Sequence, residues 1–151
     1  MSQSLTQIYL HIVFSTKHRV PFLKDEELRS RLHAYLVGTC KNLACPSIQV
    51  GGVEDHVHIL CRLAKTITVA DLLHGLKRES SKWLKTQARD MENFYWQGGY
   101  GAFSVSASQV DGVKAYIETQ EEHHRTMSFQ DEFRLLCQKH GVEIDERYVW
   151  E

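Results

Sequence analysis

The stretch "GGVEDHVHILC", Gly51 to Cys61, sets two histidines one residue apart in an apolar run that follows a pair of glycines. A run of this length rich in β-branched residues reads as a strand. The two-residue period of a strand then turns His56 and His58 to one face and Val57 and Ile59 to the other. Glycine and acidic residues between 51 and 55 favour a tight reversal, so residues 47–53 and 55–63 are expected to form two joined strands. A buried-looking strand that offers two basic rings side by side needs a reason, and the rest of the chain supplies the context.

Upstream, residues 5–14 alternate Ile8, Leu10, Ile12 and Phe14 with Tyr9, His11 and Val13, a strand apolar enough on both sides to be central. The segment "STKHRVP" turns the chain. Asp25 then caps an amphipathic helix whose stripe is Leu28, Leu32, Tyr35, Leu36, Cys40 and Leu43, with Pro46 beyond its end. Downstream of the His pair, Thr68 caps a helix with Leu72, Leu73, Leu76, Trp83 and Leu84 inward and Lys77, Arg78, Lys82 and Lys85 largely off that stripe. "AFSVSA" reads as a fourth strand. Ser108 or Asp111 opens a helix with Val113, Tyr116, Ile117 and Gln120, and Ser128 with Asp131 opens another that Gly141 stops.

The order strand, helix, strand, strand, helix, strand predicts an α+β fold. It is a ferredoxin-like βαββαβ antiparallel sheet with both crossover helices on one face, followed by C-terminal helices carrying Tyr116. The other face, with His56 and His58, is expected to be left for chemistry or a partner. At 151 residues, 42% hydrophobic and 25% charged, residues 1–151 read as one domain with a core of its own. The four cysteines form no C-x-x-C pair and are expected as reduced, packed thiols. The first apolar run is too short to span a bilayer and has neither a basic leader nor a cleavage site, so the cytoplasm is the expected compartment and no membrane is involved.

The net charge of -1 conceals a split, with 14 Lys/Arg against 10 Asp/Glu up to residue 117 and 4 against 9 after it. Binding to nucleic acid would therefore rest on a local patch, for which Lys17, Arg19, Lys77, Arg78, Lys82 and Lys85 are candidates, although charged helix faces usually only meet solvent. Tyr95, Trp96 and Tyr100 would either stack on unpaired bases or pack beneath their loop. The acidic tail with Tyr148 and Trp150 is expected to fold back as packing or to help a dimer.

Two imidazoles on one strand face can chelate a divalent cation, but two ligands are too few, and each could simply be a hydrogen-bonded histidine. In "KAYIETQEEHH", Tyr116 and Gln120 are four residues apart and thus one turn apart on a helix, offering a nucleophile and an oxygen ligand. His123 and His124 follow too closely for both to share the face of Gln120, yet one can approach the site. His11 is either a partner to a metal-binding histidine or a hydrogen-bonded core residue.

With these motifs the sequence resembles the single-tyrosine HUH transposases of the IS-two-hundred/IS-six-oh-five group of bacterial insertion sequences. His56-Val57-His58 matches the HUH motif, and Tyr116 with Gln120 matches the helix motif. "YLHIVFSTKHR", "WQGGYGAFSVS" and "YIETQEEHH" extend the likeness over nearly the whole chain. The resemblance implies that Tyr116 attacks a DNA phosphate to leave a 5′-phosphotyrosine, with His56, His58 and Gln120 holding Mg²⁺ or Mn²⁺. It implies single-stranded DNA with hairpin ends as substrate, and a homodimer whose tyrosine helix can be exchanged between subunits. Magnesium comes from the resemblance alone, since imidazoles by themselves favour Zn²⁺ or Mn²⁺. Gly51, Gly52, Gly98, Gly99 and Gly101 would suit a hinge for such an exchange. A repeat-associated or domesticated relative remains open, as does a non-catalytic ferredoxin-like nucleic-acid- or protein-binding module.

Overall fold

The computed structural model describes residues 2–151. Strands β1 (Tyr9–Ser15), β2 (Ser47–Val53), β3 (His56–Arg62) and β4 (Gly101–Val105) form one antiparallel sheet in the order β2-β3-β1-β4. Helix α1 (Glu26–Asn42) joins β1 to β2 and α2 (Val69–Lys85) joins β3 to β4, giving the ferredoxin-like arrangement expected from the sequence. β1 is central, paired with β3 on one side and β4 on the other. It begins at Tyr9 rather than residue 5, because the pairing with both neighbours starts there, and Leu5 and Ile8 are exposed.

The period-two reading of the strands is realised in two cores. On one face Leu10, Ile12, Phe14, Val57, Ile59 and Cys61 pack against Leu28, Leu32 and Leu36 of α1 and Leu72, Leu73 and Leu76 of α2. Each such side chain, fully buried, contributes about 1.5–3 kcal/mol relative to exposure. Both helices are capped as read: the Asp25 carboxylate accepts from the Leu28 amide and the Thr68 hydroxyl from the Asp71 amide, each at 3.1 Å. All four cysteines are free and buried.

The opposite face is not open. Helix α5 (Phe129–Lys139), capped by Ser128, lays Phe129, Phe133 and Cys137 on Val13 and Phe103, and Val149 and Trp150 of the tail pack against the same cluster. The expectation of a vacant face fails because the stripe of α5 is apolar enough to need burial, and this is where it finds it. The tail thus serves as packing. Gly141, at φ 69°, takes the left-handed conformation that ends α5.

Between β4 and α5 the chain forms α3 (Val110–Glu118) and the short α4 (Gln120–His123) instead of one helix through Gln120. The break is at Thr119, whose hydroxyl donates to the carbonyls of Ala115 and Tyr116 while its backbone leaves helical geometry. Neither Ser108 nor Asp111 caps α3. Gln109 occupies the cap position without a side-chain bond, and Asp111 sits in the first turn. No helix among the described residues is long and apolar enough to cross a membrane.

Candidate metal and nucleophile site

His56 and His58 project from β3 to the face covered by α5, while Val57 and Ile59 lie in the core beneath the crossover helices. Each imidazole is held at its Nδ1 atom. His56 Nδ1 bonds Asp55 at 2.7 Å, and His58 Nδ1 shares a 2.7 Å hydrogen bond with Nε2 of the buried His11, donating to it in the tautomer that frees His58 Nε2 for a metal. Holding Nδ1 fixes ring orientation and leaves both Nε2 atoms for the interior of the site, the arrangement in which histidines serve as ligands. His11 therefore acts through His58.

The centre of the site is a residue to which the sequence reading gave no chemistry. Glu132 of α5, 1% exposed, receives His58 Nε2 at 2.9 Å on Oε1, with His56 Nε2 at 3.3 Å from the same oxygen. Its other oxygen accepts from the Gln120 amide at 3.0 Å and from the Tyr116 hydroxyl. Gln120 Oε1 in turn accepts from His56 Nε2 at 3.1 Å. Tyr116, His56, His58 and Gln120 are thus brought together within one chain, around a carboxylate.

His124 completes the group. Its Nδ1–H donates to the Met127 carbonyl at 2.6 Å, which leaves Nε2 on the side of the site. That nitrogen lies 3.1 Å from Glu132 Oε1 but is out of line for a hydrogen bond and has no other partner. Candidate ligand atoms of His56, His58, His124 and Glu132 all lie within 4.8 Å of one another. Three imidazoles and a carboxylate fit a divalent ion such as Mn²⁺ or Zn²⁺, and the carboxylate supplies the hard oxygen that Mg²⁺ and Mn²⁺ favour. His123 takes another position, with its ring against Tyr116 at 4.6 Å between centroids.

The charges are strongly coupled. Burial favours the neutral form of His56, but its bonds to Asp55 and Glu132 outweigh that and raise it to about 9. Burial lowers His58 to about 4 and His11 to about 3. Burial would raise Glu132, yet the close imidazoles of His124, His56 and His58 hold it well below the usual carboxylate range. Burial and then the bond to Glu132 push the Tyr116 phenol upward, so the hydroxyl is firmly protonated at rest.

The basic candidates lie apart from this centre and divide into two kinds. Lys77 turns inward and donates to the carbonyls of Gln97 at 2.8 Å and Gly99 at 2.6 Å, so its ammonium is occupied by the glycine loop. Arg19 donates to the Trp150 carbonyl at 2.7 Å and is occupied by the tail. Lys17, Arg78 and Lys82 remain exposed, Lys17 beside the exposed Tyr95, over which Lys85 also lies. Trp96 is buried between Phe14 and Phe94, with its indole N–H on Ser80. Among the glycines read as a hinge, Gly51 and Gly101 sit in close packing: a Cβ on Gly51 would meet the Ile117 carbonyl at 2.8 Å, and one on Gly101 would meet Phe133 at 2.8 Å.

Glu132 did leave a trace in the sequence. It falls three residues after Phe129 and four before Leu136, inside the apolar stripe of its helix, where a lone carboxylate needs buried partners.

A model of the family described as "Transposase IS200 like" matches residues 4–120, ending before His124 and Glu132. None of the curated proteins compared is similar to the chain. Among solved structures, a candidate transposase from Deinococcus radiodurans superposes with a TM-score of 0.61 at 20% identity, covering 80% of this chain and 98% of that one. A REP-associated tyrosine transposase bound to a REP hairpin superposes with a TM-score of 0.59 at 12% identity, covering 82% of this chain and 74% of that one. At such identities the two structures attest the shared fold, and the sequence match attests the lineage: this chain belongs to the IS200-like transposase family.

Proposed function

We propose that the chain is a transposase that cleaves and rejoins single-stranded DNA at hairpin-bearing ends, with Tyr116 as nucleophile. One observation carries the reading: the Tyr116 hydroxyl, two aligned imidazoles and Gln120 converge on a single buried carboxylate within one chain. In the reaction the Tyr116 oxygen bonds to phosphorus and the P–O3′ bond breaks, leaving a 5′-phosphotyrosine and a free 3′-hydroxyl. The bond energy stays in the link, so a second 3′-hydroxyl can reverse the step and no nucleotide cofactor is required.

The nucleophile must lose its proton, and Glu132 accepts the hydrogen bond from that hydroxyl. At rest the same carboxylate keeps the phenol protonated. A divalent cation, Mg²⁺ or Mn²⁺, held by His56, His58, His124 and Glu132 with Gln120 beside them, would polarise the phosphodiester and offset the carboxylate's charge. Asp55 and His11 hold the two imidazoles in register for it.

Exposed Lys17, Arg78 and Lys82 are proposed as contacts to the DNA backbone, whereas Lys77 and Arg19 have structural work. The chain acts in the cytoplasm as one unit, and a second copy serves to bring two ends together. The hairpin of the REP-bound neighbour supports a hairpin as the bound element here.

The test is an oligonucleotide hairpin from the DNA flanking the chain's own gene, incubated with Mg²⁺ or Mn²⁺ and resolved under denaturing conditions. A covalent adduct is expected, lost in Tyr116→Phe and in His58→Ala. Binding of the hairpin without any adduct would leave a non-catalytic DNA-binding module instead.

A further inference from the structure

Beside the carboxylate centre, β4, α3 and α5 enclose a cleft of about 750 Å³. Tyr116 and Glu132 line its inner end, along with His11, so it opens directly onto the nucleophile. Val105 of β4, Val113 of α3 and Leu135 and Leu136 of α5 give it aliphatic walls, with the rings of His123 and His140 also in the lining. Along its lip stand Ser106, Gln109 and Lys139. A volume of this size suits one small organic group with room to spare.

A tyrosine that attacks a phosphodiester needs space for the nucleotides on either side of the phosphorus. The lining matches such a nucleotide in each of its parts. Aliphatic walls accept the flat faces of a base, a hydroxyl and an amide at the lip can meet its hydrogen-bonding edge, and the ammonium of Lys139 complements a phosphate. We propose that this cleft is a subsite for the unpaired nucleotide adjoining the cleaved phosphate, and that Gln109 and Ser106 read its base. The inference rests on the transposase reading above and adds to it a determinant of where the strand is cut.

Gly112, on the cleft wall, has nothing within 4 Å of the position a Cβ would occupy, so Gly112→Phe can be carried on α3 toward the cleft without a clash at its Cβ. Gln109 is exposed and makes no capping bond, so Gln109→Ala leaves the helix intact. The probe is the fluorescein-labelled hairpin from the gene's own flank, its unpaired tail substituted base by base, with binding read by anisotropy. For the wild type, swaps at one tail position are expected to weaken binding about tenfold, the usual order for one wrong base. Gly112→Phe and Gln109→Ala should erase that preference while circular dichroism and binding of the tail-less hairpin stay unchanged.

A preference that survives in both variants, or a wild type that binds the hairpin but ignores the tail, overturns the subsite and leaves the transposase reading standing. Failure of the wild type to bind any hairpin removes both. If Gly112→Phe instead alters only the sedimentation of the free protein, the cleft is a contact between copies of the chain and the subsite is likewise overturned.

Discussion

Glu132 is a buried anion met by three imidazoles, the Gln120 amide and the Tyr116 hydroxyl, so its replacement tests the site more directly than any other. Glu132→Gln keeps the shape and removes the charge. Two outcomes are expected: His56 loses one of the bonds that hold it near 9 and titrates lower, and Mn²⁺ affinity falls by about 10- to 100-fold or more. Histidine NMR titration and calorimetry read the two separately. His11→Ala should weaken Mn²⁺ binding by about 10- to 100-fold without removing a ligand, because His58 loses the partner of its Nδ1. The same residues set how stability depends on pH in the metal-free protein. His58 near 4, His33 near 4 and His11 near 3 lie below the ordinary 6.5, so the unfolded chain takes up protons first on acidification. Their contribution is present above pH 6.5 and is lost as pH falls toward 4. His56, raised to about 9, acts in the opposite sense: its contribution is complete below 6.5 and is lost as pH rises through 9. The melting temperature in chelator should thus peak near pH 6.5. His33→Leu, outside the candidate ligand set, should flatten only the acid limb.

At the scale of elements, α2 carries two lysines of opposite use. Lys77, with its ammonium on the carbonyls of Gln97 and Gly99, fixes the loop before β4, and Lys77→Met should cost about 2 kcal/mol of stability through those charge-assisted bonds. Lys82, exposed on the outer face, should leave stability unchanged when replaced by alanine but lower the salt dependence of single-strand binding by about 0.7 in logarithmic slope, the loss of one phosphate contact. Denaturant melts and a salt series separate the two. The sheet, its caps and both crossover helices were legible in the sequence because period two, period 3.6 and capping residues such as Asp25 and Thr68 are local signals. The break at Thr119 was not. It depends on a hydroxyl turning back to its own helix and on Gln120 being drawn to His56, and neither leaves a mark in the spacing of Tyr116 and Gln120. The bonds of Lys77 to the glycine loop were hidden for a related reason, since charge and helical position alone do not reveal that the loop folds over the amine.

For the whole molecule, three layers stand in order: the crossover helices, the sheet, and α5 with the tail. The site is enclosed between the second and third. The resemblance read in the sequence allows Tyr116 to be supplied by a partner copy, while the hydroxyl already reaches Glu132 within one chain. α3 is seated closely on β2, with Ile117 so near Gly51 that one added carbon would clash. The two arrangements differ in an observable way. If the tyrosine of one copy served the histidines of another, a mixture of Tyr116→Phe and His58→Ala chains would contain one intact composite site and regain cleavage. If each chain builds its own site, every site in the mixture is defective. The expected outcome is no recovery of the covalent adduct at any mixing ratio, together with an adduct yield per wild-type chain that does not change on dilution. Recovery toward one quarter of the wild-type yield, about the share of intact composite sites in a random mixture of dimers, would place the nucleophile in trans and require α3 to leave the groove over Gly51.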